Sequence, residues 1–293
     1  MVFVVLLLSM VFFAADAHFV RVKKAVIPVG GMGTRYLPWT KMVGKEFLPI
    51  VDGKPMVHLI VEEAQAGGIE ECLFITSNNK QSIIDYFTPD IQLNNWLLDK
   101  GKSHLLDGFD AVCRTMAITC VDSRTGLGEG YAVSCAKSYI TEEFFAAMWP
   151  DNLIASKVAC IKQLIDIAQE LHATIIAVEQ VPIDDMVAYG MVEVGEQVAD
   201  NVWKITGLKQ KPKRQEVTSN LAVIGRFVLS SKIFDSLAHI EKGVGGEYWL
   251  TDALQHMIDL GEPVYAYKID GIFFDTGTPE KWAKAVKHYN EEI

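Results

Sequence analysis

Apolar stretches of strand length and amphipathic stretches of helix length alternate along this chain from about residue 22 onward. Strands are predicted at residues 25–29, 71–76, 117–121, 144–149 and 174–178. Helices are predicted at residues 56–67, 82–86, 94–100, 130–136 and 156–171. This alternation predicts an α/β fold whose mainly parallel sheet carries helices on both faces. Ligands of such folds bind beyond the carboxyl ends of the strands.

Beyond residue 181 the pattern changes to shorter strand-like pieces, at residues 190–194, 201–208, 220–229 and 263–269. We expect these pieces to form a small β-rich insertion that supplies one wall of a cleft. A closing helix is predicted at residues 280–290, starting near Pro279. The sequence contains no linker, repeat or low-complexity tract, so we expect a single domain over residues 21–293.

A glycine-rich segment, GGMGTR at residues 30–35, directly follows the first predicted strand. Glycines let the backbone approach a ligand closely and present its N–H groups to phosphate oxygens. Arg35 and Lys45 add positive charge nearby, which favours an anionic ligand such as a triphosphate. The spacing matches neither the dinucleotide-binding fingerprint nor the Walker P-loop. An ordinary strand-to-helix turn would also explain the glycines.

Two aspartates each follow an apolar stretch of strand character. Asp151 comes just after residues 144–149, and Asp275 follows two phenylalanines and precedes a glycine turn. If both strands belong to one sheet, the two carboxylates can meet, and hard oxygen ligands suit Mg²⁺ bound together with a triphosphate. For Asp151 the alternative role is that of a turn residue or a helix N-cap.

Two further segments allow a functional and a structural interpretation. The basic run KQKPKR at residues 209–214 has three possible roles. It could be a localisation patch or a solvated charged face, or one of its lysines, Lys211, could contact a phosphate. The glycine turn at residues 126–130, which contains Gly128, would let backbone groups approach a base or ribose, and a surface turn explains it equally well.

Charge and composition argue against several classes of function. With a net charge of −10 and a pI of about 5.2, the chain lacks the broad positive surface of a nucleic-acid binder. The five cysteines contain no CxxC pair, which disfavours a disulfide framework or a zinc site and favours reduced thiols in a cytoplasmic protein. Histidine spacing suggests neither a metal site nor a triad, and no nucleophile elbow is present, so covalent catalysis is not expected.

The first twenty residues form an atypical hydrophobic N-terminal extension. Residues 2–15 are apolar except for Ser9, and residues 15–17 resemble a signal-peptide cleavage site. No Lys or Arg precedes the run, and it is short for a membrane span. We expect this segment not to be part of the folded domain. The alternative is a secretion signal or a membrane anchor, and only this alternative would imply membrane association.

The motifs together resemble those of the sugar-phosphate nucleotidyltransferases, and among them the bacterial-type UTP–glucose-1-phosphate uridylyltransferases. The resemblance runs from about residue 23 to the C-terminus. It rests on GGMGTRYLP (30–38), TK (40–41), KEFLPIVD (45–52), PD (150–151), AYGMV (188–192), KPK (211–213), SNLAVIGR (219–226), LTDA (250–253) and DTG (275–277). It implies a Rossmann-like, mainly parallel sheet of the nucleotide-diphospho-sugar transferase type with a β-rich insertion on the sugar side.

The resemblance also implies a reaction and a set of site residues. A uridylyl group would pass from UTP to glucose 1-phosphate by in-line attack assisted by Mg²⁺, with positioning and charge neutralisation carrying the catalysis. The implied catalytic residues are Arg35, Lys45, Asp151 and Lys211, and the implied metal ligands are Asp151 and Asp275. The implied substrate-binding residues are Gly30, Gly31, Gly33, Thr34, Glu46, Gly128, Tyr189, Gly190, Gln210 and Asn220.

Several positions depart from the family's pattern. Gln210 stands where a glutamate usually binds sugar hydroxyls, Tyr131 replaces a histidine, and Ser123 replaces the glutamine that recognises uracil. Gly246 and Trp249 replace an aspartate and a polar residue. Two alternatives therefore stay open: a related enzyme that uses dTTP or another sugar phosphate, and a non-catalytic regulatory paralogue. The family's habit predicts a homodimer or homotetramer.

Overall fold

The computed structural model describes residues 20–77, 80–124 and 126–291. Within this part of the chain the helices are α1 (Met56–Ala66), α2 (Lys80–Phe87), α3 (Ile91–Asp99), α4 (Asp107–Thr115), α5 (Glu129–Ser134), α6 (Cys160–Leu171), α7 (Ile233–His239), α8 (Leu250–Asp259) and α9 (Pro279–Glu291). The strands described are β1 (Val22–Pro28), β2 (Pro49–Val51), β3 (Lys54–Pro55), β4 (Glu71–Thr76), β5 (Ala117–Asp122), β6 (Phe144–Met148), β7 (Asn152–Ala155), β8 (Thr174–Gln180), β9 (Gly190–Ala199), β10 (Val202–Gln210), β11 (Leu221–Ser230), β12 (Val264–Lys268) and β13 (Ile272–Asp275). Apart from Val20, the hydrophobic extension expected over residues 1–20 lies outside the described residues.

A nine-stranded sheet with the order β5-β4-β1-β6-β11-β8-β12-β10-β9 forms the centre of the fold. Strands β5, β4, β1 and β6 pair in parallel, as do β8 and β12. Strand β11 is antiparallel to both β6 and β8, and β10 is antiparallel to both β12 and β9. The sheet is therefore mixed. The sequence-based prediction of a mainly parallel sheet is wrong in this respect. Almost every residue of β11 is buried, and a continuous apolar run does not reveal the direction of a strand.

The strand-like pieces after residue 181 do not form a separate insertion. Strands β11 and β12 lie inside the main sheet on either side of β8, and β9 and β10 extend the same sheet as an edge hairpin. The last paired residues of that hairpin are Gly190 and Gln210, which lie opposite each other at its open end. This hairpin therefore widens the main sheet by two strands and does not form a second layer.

Alternate residues of the strands face two apolar cores, so the expected helices on both faces are present. In β1, Ala25 and Ile27 belong to the core that contains residues of α1 and α6. Val26, between them, belongs to the core that contains residues of α5, α7 and α8. This alternation is the period-2 pattern of a strand buried on both sides. Among the described residues, we find no helix of a length and hydropathy sufficient to span a bilayer.

The helix predicted at residues 156–171 begins only at Cys160: residues 152–155 form strand β7, and residues 156–159 connect this strand to the helix. Strand β7 pairs antiparallel with β13, and in this register Asn152 lies opposite Asp275. The small sheet of β7 and β13 brings the turn after β6 next to the turn after β13. This long-range pairing, which local sequence does not encode, is what places the two strand-end aspartates close to each other.

A buried ion pair connects the central strand β11 with helix α1. Arg226 is 0% exposed, and its Nε and Nη2 donate to the two carboxylate oxygens of Glu63 at 2.9 and 2.8 Å. Its Nη1 donates to the backbone oxygen of Trp149 at 2.8 Å. Glu63 also accepts the backbone N–H of Ile161 at 3.1 Å. The pair thus joins α1, α6, β11 and the end of β6 at one point.

Replacing Glu63 with Gln is expected to lower the free energy of unfolding by about 3–5 kcal/mol, because the buried guanidinium loses its counter-charge. Urea unfolding followed by circular dichroism measures the change. Glu262→Gln is the matched control, since it removes a charge from a solvent-accessible pair with Lys232 at 2.8 Å, in which the side chains of Glu262 and Lys232 are 29% and 62% exposed. The control is expected to change the free energy by less than about 1 kcal/mol. Equal effects of the two substitutions would contradict a structural role for the buried pair.

Candidate active site

The glycine-rich loop follows β1 at the carboxyl ends of β1, β4 and β5. The backbone oxygen of Gly30 accepts the hydroxyl of Ser77 at 3.0 Å, which ties the loop to the end of β4. Gly31 is exposed, and a Cβ placed there would meet no atom within 4 Å. Gly33 has a φ of 60°, and Thr34, which is exposed, begins a single 3₁₀ turn. The loop is therefore open to a ligand along its backbone.

Lys45 and Asp151 form an ion pair beside this loop. Lys45 Nζ lies 2.5 Å from Asp151 Oδ2, and the two side chains are 25% and 22% exposed. Burial disfavours both charges, but their mutual attraction outweighs it, so the pKa of Lys45 is raised and the pKa of Asp151 is lowered. Both groups are thus charged at neutral pH. Strand β7 begins directly after Asp151, so this aspartate is not a helix N-cap.

Asp275 lies at the end of β13 and has three partners. Its Oδ2 accepts Lys281 Nζ at 2.5 Å and the hydroxyl of Tyr189 at 3.0 Å. Its Oδ1 accepts the backbone N–H of Gly277 at 2.8 Å, which stabilises the turn before α9. The second aspartate is therefore also paired with a lysine.

Hydrogen bonds between backbone and side chains hold the two aspartate turns together. The N–H and the hydroxyl of Thr276 both donate to the backbone oxygen of Asp151 at 2.8 Å. Tyr36 donates its hydroxyl to the backbone oxygen of Thr276, and Arg35 Nη1 donates to that of Gly277 at 3.3 Å. The segment after the glycine loop thus contacts the turn that carries Asp275.

The donor atoms of Asp151 and Asp275 fit a hard divalent cation. Each carboxylate is now neutralised by a lysine ammonium group, so a positive charge is already favoured at both positions. In residues 20–77, 80–124 and 126–291, no group of three or more His, Cys, Asp or Glu side chains could hold a metal ion by itself. An ion such as Mg²⁺ would therefore need phosphate oxygens of a substrate to complete its coordination.

Five predicted site residues line a cavity of about 180 Å³: Asp275, Tyr189, Gly190, Gln210 and Lys211. Gln210 Oε1 accepts the hydroxyl of Thr251 at 3.0 Å. Lys211 Nζ lies 4.4 Å from the ring centroid of Trp249, within the range of a cation–π contact. Of the basic run, Lys209 instead pairs with Glu193 at 2.7 Å, outside the cavity. Lys211 is thus the lysine of this run that faces the candidate site.

Three predicted substrate-binding residues, Gly128, Asn220 and Glu46, do not line this cavity, and their roles stay predictions. Gly128 packs against protein backbone: a Cβ there would lie 2.4 Å from the oxygen of Tyr248. Asn220 is exposed and does not line the cavity. Glu46 is 2% exposed, its Oε1 has no hydrogen-bond partner among the described residues, and burial raises its pKa to about 7.

Several residues of the candidate site are not predicted from the sequence: Tyr36, Glu129, Trp149, Asn152 and Lys281. A signal exists for Lys281, because a lysine in the first turn of a helix opposes the helix dipole and suggests another partner. Of the positions that depart from the family's pattern, Gln210 and Trp249 line the cavity. Ser123 lies beside the glycine loop, with its Oγ 3.4 Å from a Cβ placed on Gly30, and Tyr131 does not line the cavity.

Comparison with known proteins confirms the resemblance seen in the motifs. The chain is 37% identical over 269 residues to a Staphylococcus epidermidis protein named UTP–glucose-1-phosphate uridylyltransferase, which covers 92% of each chain. It is 39% identical over 258 residues to UTP–glucose-1-phosphate uridylyltransferase YngB of Bacillus subtilis, covering 88% of this chain and 86% of that protein.

The fold is also similar to that of solved structures from the same group of enzymes. A solved structure of a UDP-glucose pyrophosphorylase complexed with UDP-glucose matches with a TM-score of 0.85 and 32% identity, over 93% of this chain and 100% of that one. The family described as nucleotidyl transferase matches residues 24–292. On this match and these relatives, the chain belongs to the nucleotidyl transferase family.

Proposed function

We propose that this protein transfers a uridylyl group from UTP to glucose 1-phosphate, giving UDP-glucose and pyrophosphate. The proposal rests on the Lys45–Asp151 pair, in which Lys45 lies beside Gly33 of the open glycine loop and Asp151 directly precedes Asn152 of the cavity wall. Relatives at 37% and 39% identity carry the name of this activity. The loop and the cavity supply the two binding regions that such a transfer needs.

In the proposed reaction, a phosphate oxygen of glucose 1-phosphate attacks the α-phosphorus of UTP in line. A new P–O bond forms as the bond to the bridging oxygen breaks, and pyrophosphate leaves with that electron pair. Backbone N–H groups at Gly31 and Gly33 and the side chain of Arg35 bind the nucleotide phosphates. Lys45 and Lys211 neutralise charge at the reacting phosphates. Positioning and electrostatics suffice, so no side-chain nucleophile is required.

We propose Asp151 and Asp275 as the residues that hold Mg²⁺. Their hard oxygen atoms suit this ion, and each carboxylate is already paired with a positively charged lysine, which supports the assignment. When bound, the ion would neutralise charge on the α-phosphate and fix its orientation. Lys45 and Lys281, the partners of the two carboxylates, would then be available to contact phosphate oxygens.

The Rossmann-like half of the sheet, β5-β4-β1-β6, binds the nucleotide, and the β9–β10 side binds the sugar. Residues 21–293 act as a single nucleotidyltransferase domain, assembled as a homodimer or homotetramer. A cytoplasmic location agrees with the need for UTP and with the five cysteines, all within the described residues, which form no disulfide.

Pyrophosphate release is expected with UTP and glucose 1-phosphate in the presence of Mg²⁺. Purified protein is assayed with UTP, dTTP, CTP, GTP and ATP against several sugar 1-phosphates, with and without Mg²⁺. A much faster reaction with dTTP than with UTP would contradict the uridylyl assignment and favour the related nucleotidyltransferase. No release under any condition would favour the non-catalytic paralogue.

Asp151→Asn is expected to lower turnover by at least about 100-fold, because the substitution removes a charge at the reacting phosphates. Initial rates of UDP-glucose formation measure the effect, and circular dichroism checks the fold. Asp235→Asn is the matched control, since Asp235 is 79% exposed and pairs only loosely with Lys137 at 3.3 Å. Full turnover in Asp151→Asn would rule out the assigned role.

A further inference from the structure

The cavity beside Asp275 contains a carboxylate, that of Glu129, which the proposed reaction does not use. Glu129 begins α5, inside the second glycine turn. That turn is fixed by two backbone hydrogen bonds: Gly130 N–H donates to Tyr248 O at 2.9 Å, and Tyr248 N–H donates to Leu127 O at 2.8 Å. A Cβ at Gly128 or Gly130 would lie 2.4 or 2.9 Å from the same Tyr248 oxygen. The glycines therefore allow a close contact that holds the Glu129 backbone in place.

Within the described part of the chain, one oxygen of the Glu129 carboxylate has a hydrogen-bond partner. Trp149 Nε1 donates to Oε2 at 2.6 Å, and Oε1 accepts no hydrogen bond from any described residue. Burial, opposed by the Trp149 hydrogen bond, raises the pKa of Glu129 to about 7. A carboxylate has about four acceptor sites, and a buried one is stabilised when they are filled. Oε1 is thus an unfilled acceptor in the wall of the cavity.

The rest of the cavity wall suits a hexose. The indole rings of Trp149 and Trp249 offer apolar surface to the C–H face of a sugar ring, and Lys211 supplies a charge for its phosphate. Gln210 contributes an uncharged amide whose oxygen is already engaged by Thr251. A second carboxylate in the wall, that of Asp275, accepts a hydrogen bond at each of its two oxygens. Among the carboxylate oxygens of the described residues that line the cavity, Glu129 Oε1 is therefore the one left to accept a sugar hydroxyl. Small sites of this kind take their specificity from a few well-placed polar groups.

We propose that Glu129 binds a hydroxyl group of the hexose 1-phosphate through Oε1 and thereby helps to select the sugar. The hydrogen bond of Trp149 to Oε2 holds the carboxylate in position, and Arg226 in turn holds the backbone oxygen of Trp149. Glu129 thus supplies, from α5, the carboxyl acceptor that Gln210 does not supply from the end of β10. This inference rests on the proposed function and adds to it the residue that recognises the sugar.

The test compares the binding of UDP-glucose with that of UDP by isothermal titration calorimetry. In the wild-type protein the glucose group is expected to tighten binding, whereas in Glu129→Ala this gain falls by about 10- to 100-fold and the affinity for UDP is unchanged. Glu129→Gln, which keeps the shape of the side chain, is expected to lose part of the gain. Glu196→Ala, on the exposed part of β9, is the control and is expected to match the wild type.

A set of UDP-deoxyglucoses identifies the hydroxyl and separates binding from a structural role. In the wild-type protein, removal of the hydroxyl that contacts Glu129 is expected to weaken binding, and in Glu129→Ala its removal is expected to have no further effect. If Glu129 only supports Trp149, Glu129→Ala and Glu129→Gln lose affinity for UDP-glucose and for every UDP-deoxyglucose to the same extent. That result would overturn the inference. Unchanged binding of UDP-glucose in both variants would also overturn it. Failure of the wild-type protein to bind either UDP or UDP-glucose would contradict the proposed function itself.

Discussion

The buried ion pair between Arg226 and Glu63 is the interaction on which the candidate site depends. Three donor groups of one fully buried guanidinium reach a carboxylate of α1 and the backbone oxygen of Trp149. Trp149 lies two residues before Asp151 and donates its indole N–H to Glu129. The same ion pair therefore supports both the turn that carries Asp151 and the wall of the cavity beside Asp275. Removing either charge would leave the other buried without a partner, which is costly.

Around this support, the reacting region is a set of paired charges. Lys45 neutralises Asp151, and Lys281 neutralises Asp275. The two aspartate turns are held together by Thr276, so the pairs are positioned relative to each other before any ligand binds. In the proposed reaction, a triphosphate and a cation would exchange partners with these groups without creating a new buried charge. Such preorganised charges are an effective means of stabilising a transition state in phosphoryl and nucleotidyl transfer.

Local sequence predicts the parts of the site that lie directly after apolar strands. The glycine loop, Asp151 and Asp275 all follow stretches whose strand character is evident from their composition. The direction of β11 and the pairing of β7 with β13 depend on contacts between distant parts of the chain, so the mixed sheet and the late start of α6 are not predicted. The role proposed for Glu129 has the same origin, because its partner Trp149 is twenty residues away and reaches it only in the folded protein.

The proposed mechanism is a direct in-line displacement at the α-phosphorus, in which positioned charges carry the catalysis and no covalent nucleotidyl–enzyme intermediate forms. It is tested most directly by the stereochemistry of the reaction with one diastereomer of uridine 5′-O-(1-thiotriphosphate) and glucose 1-phosphate, with ³¹P NMR to assign the configuration of the thio-UDP-glucose formed. A single displacement predicts inversion of configuration at the α-phosphorus. Retention would indicate two successive displacements through a side-chain nucleophile and would contradict the mechanism proposed for this site.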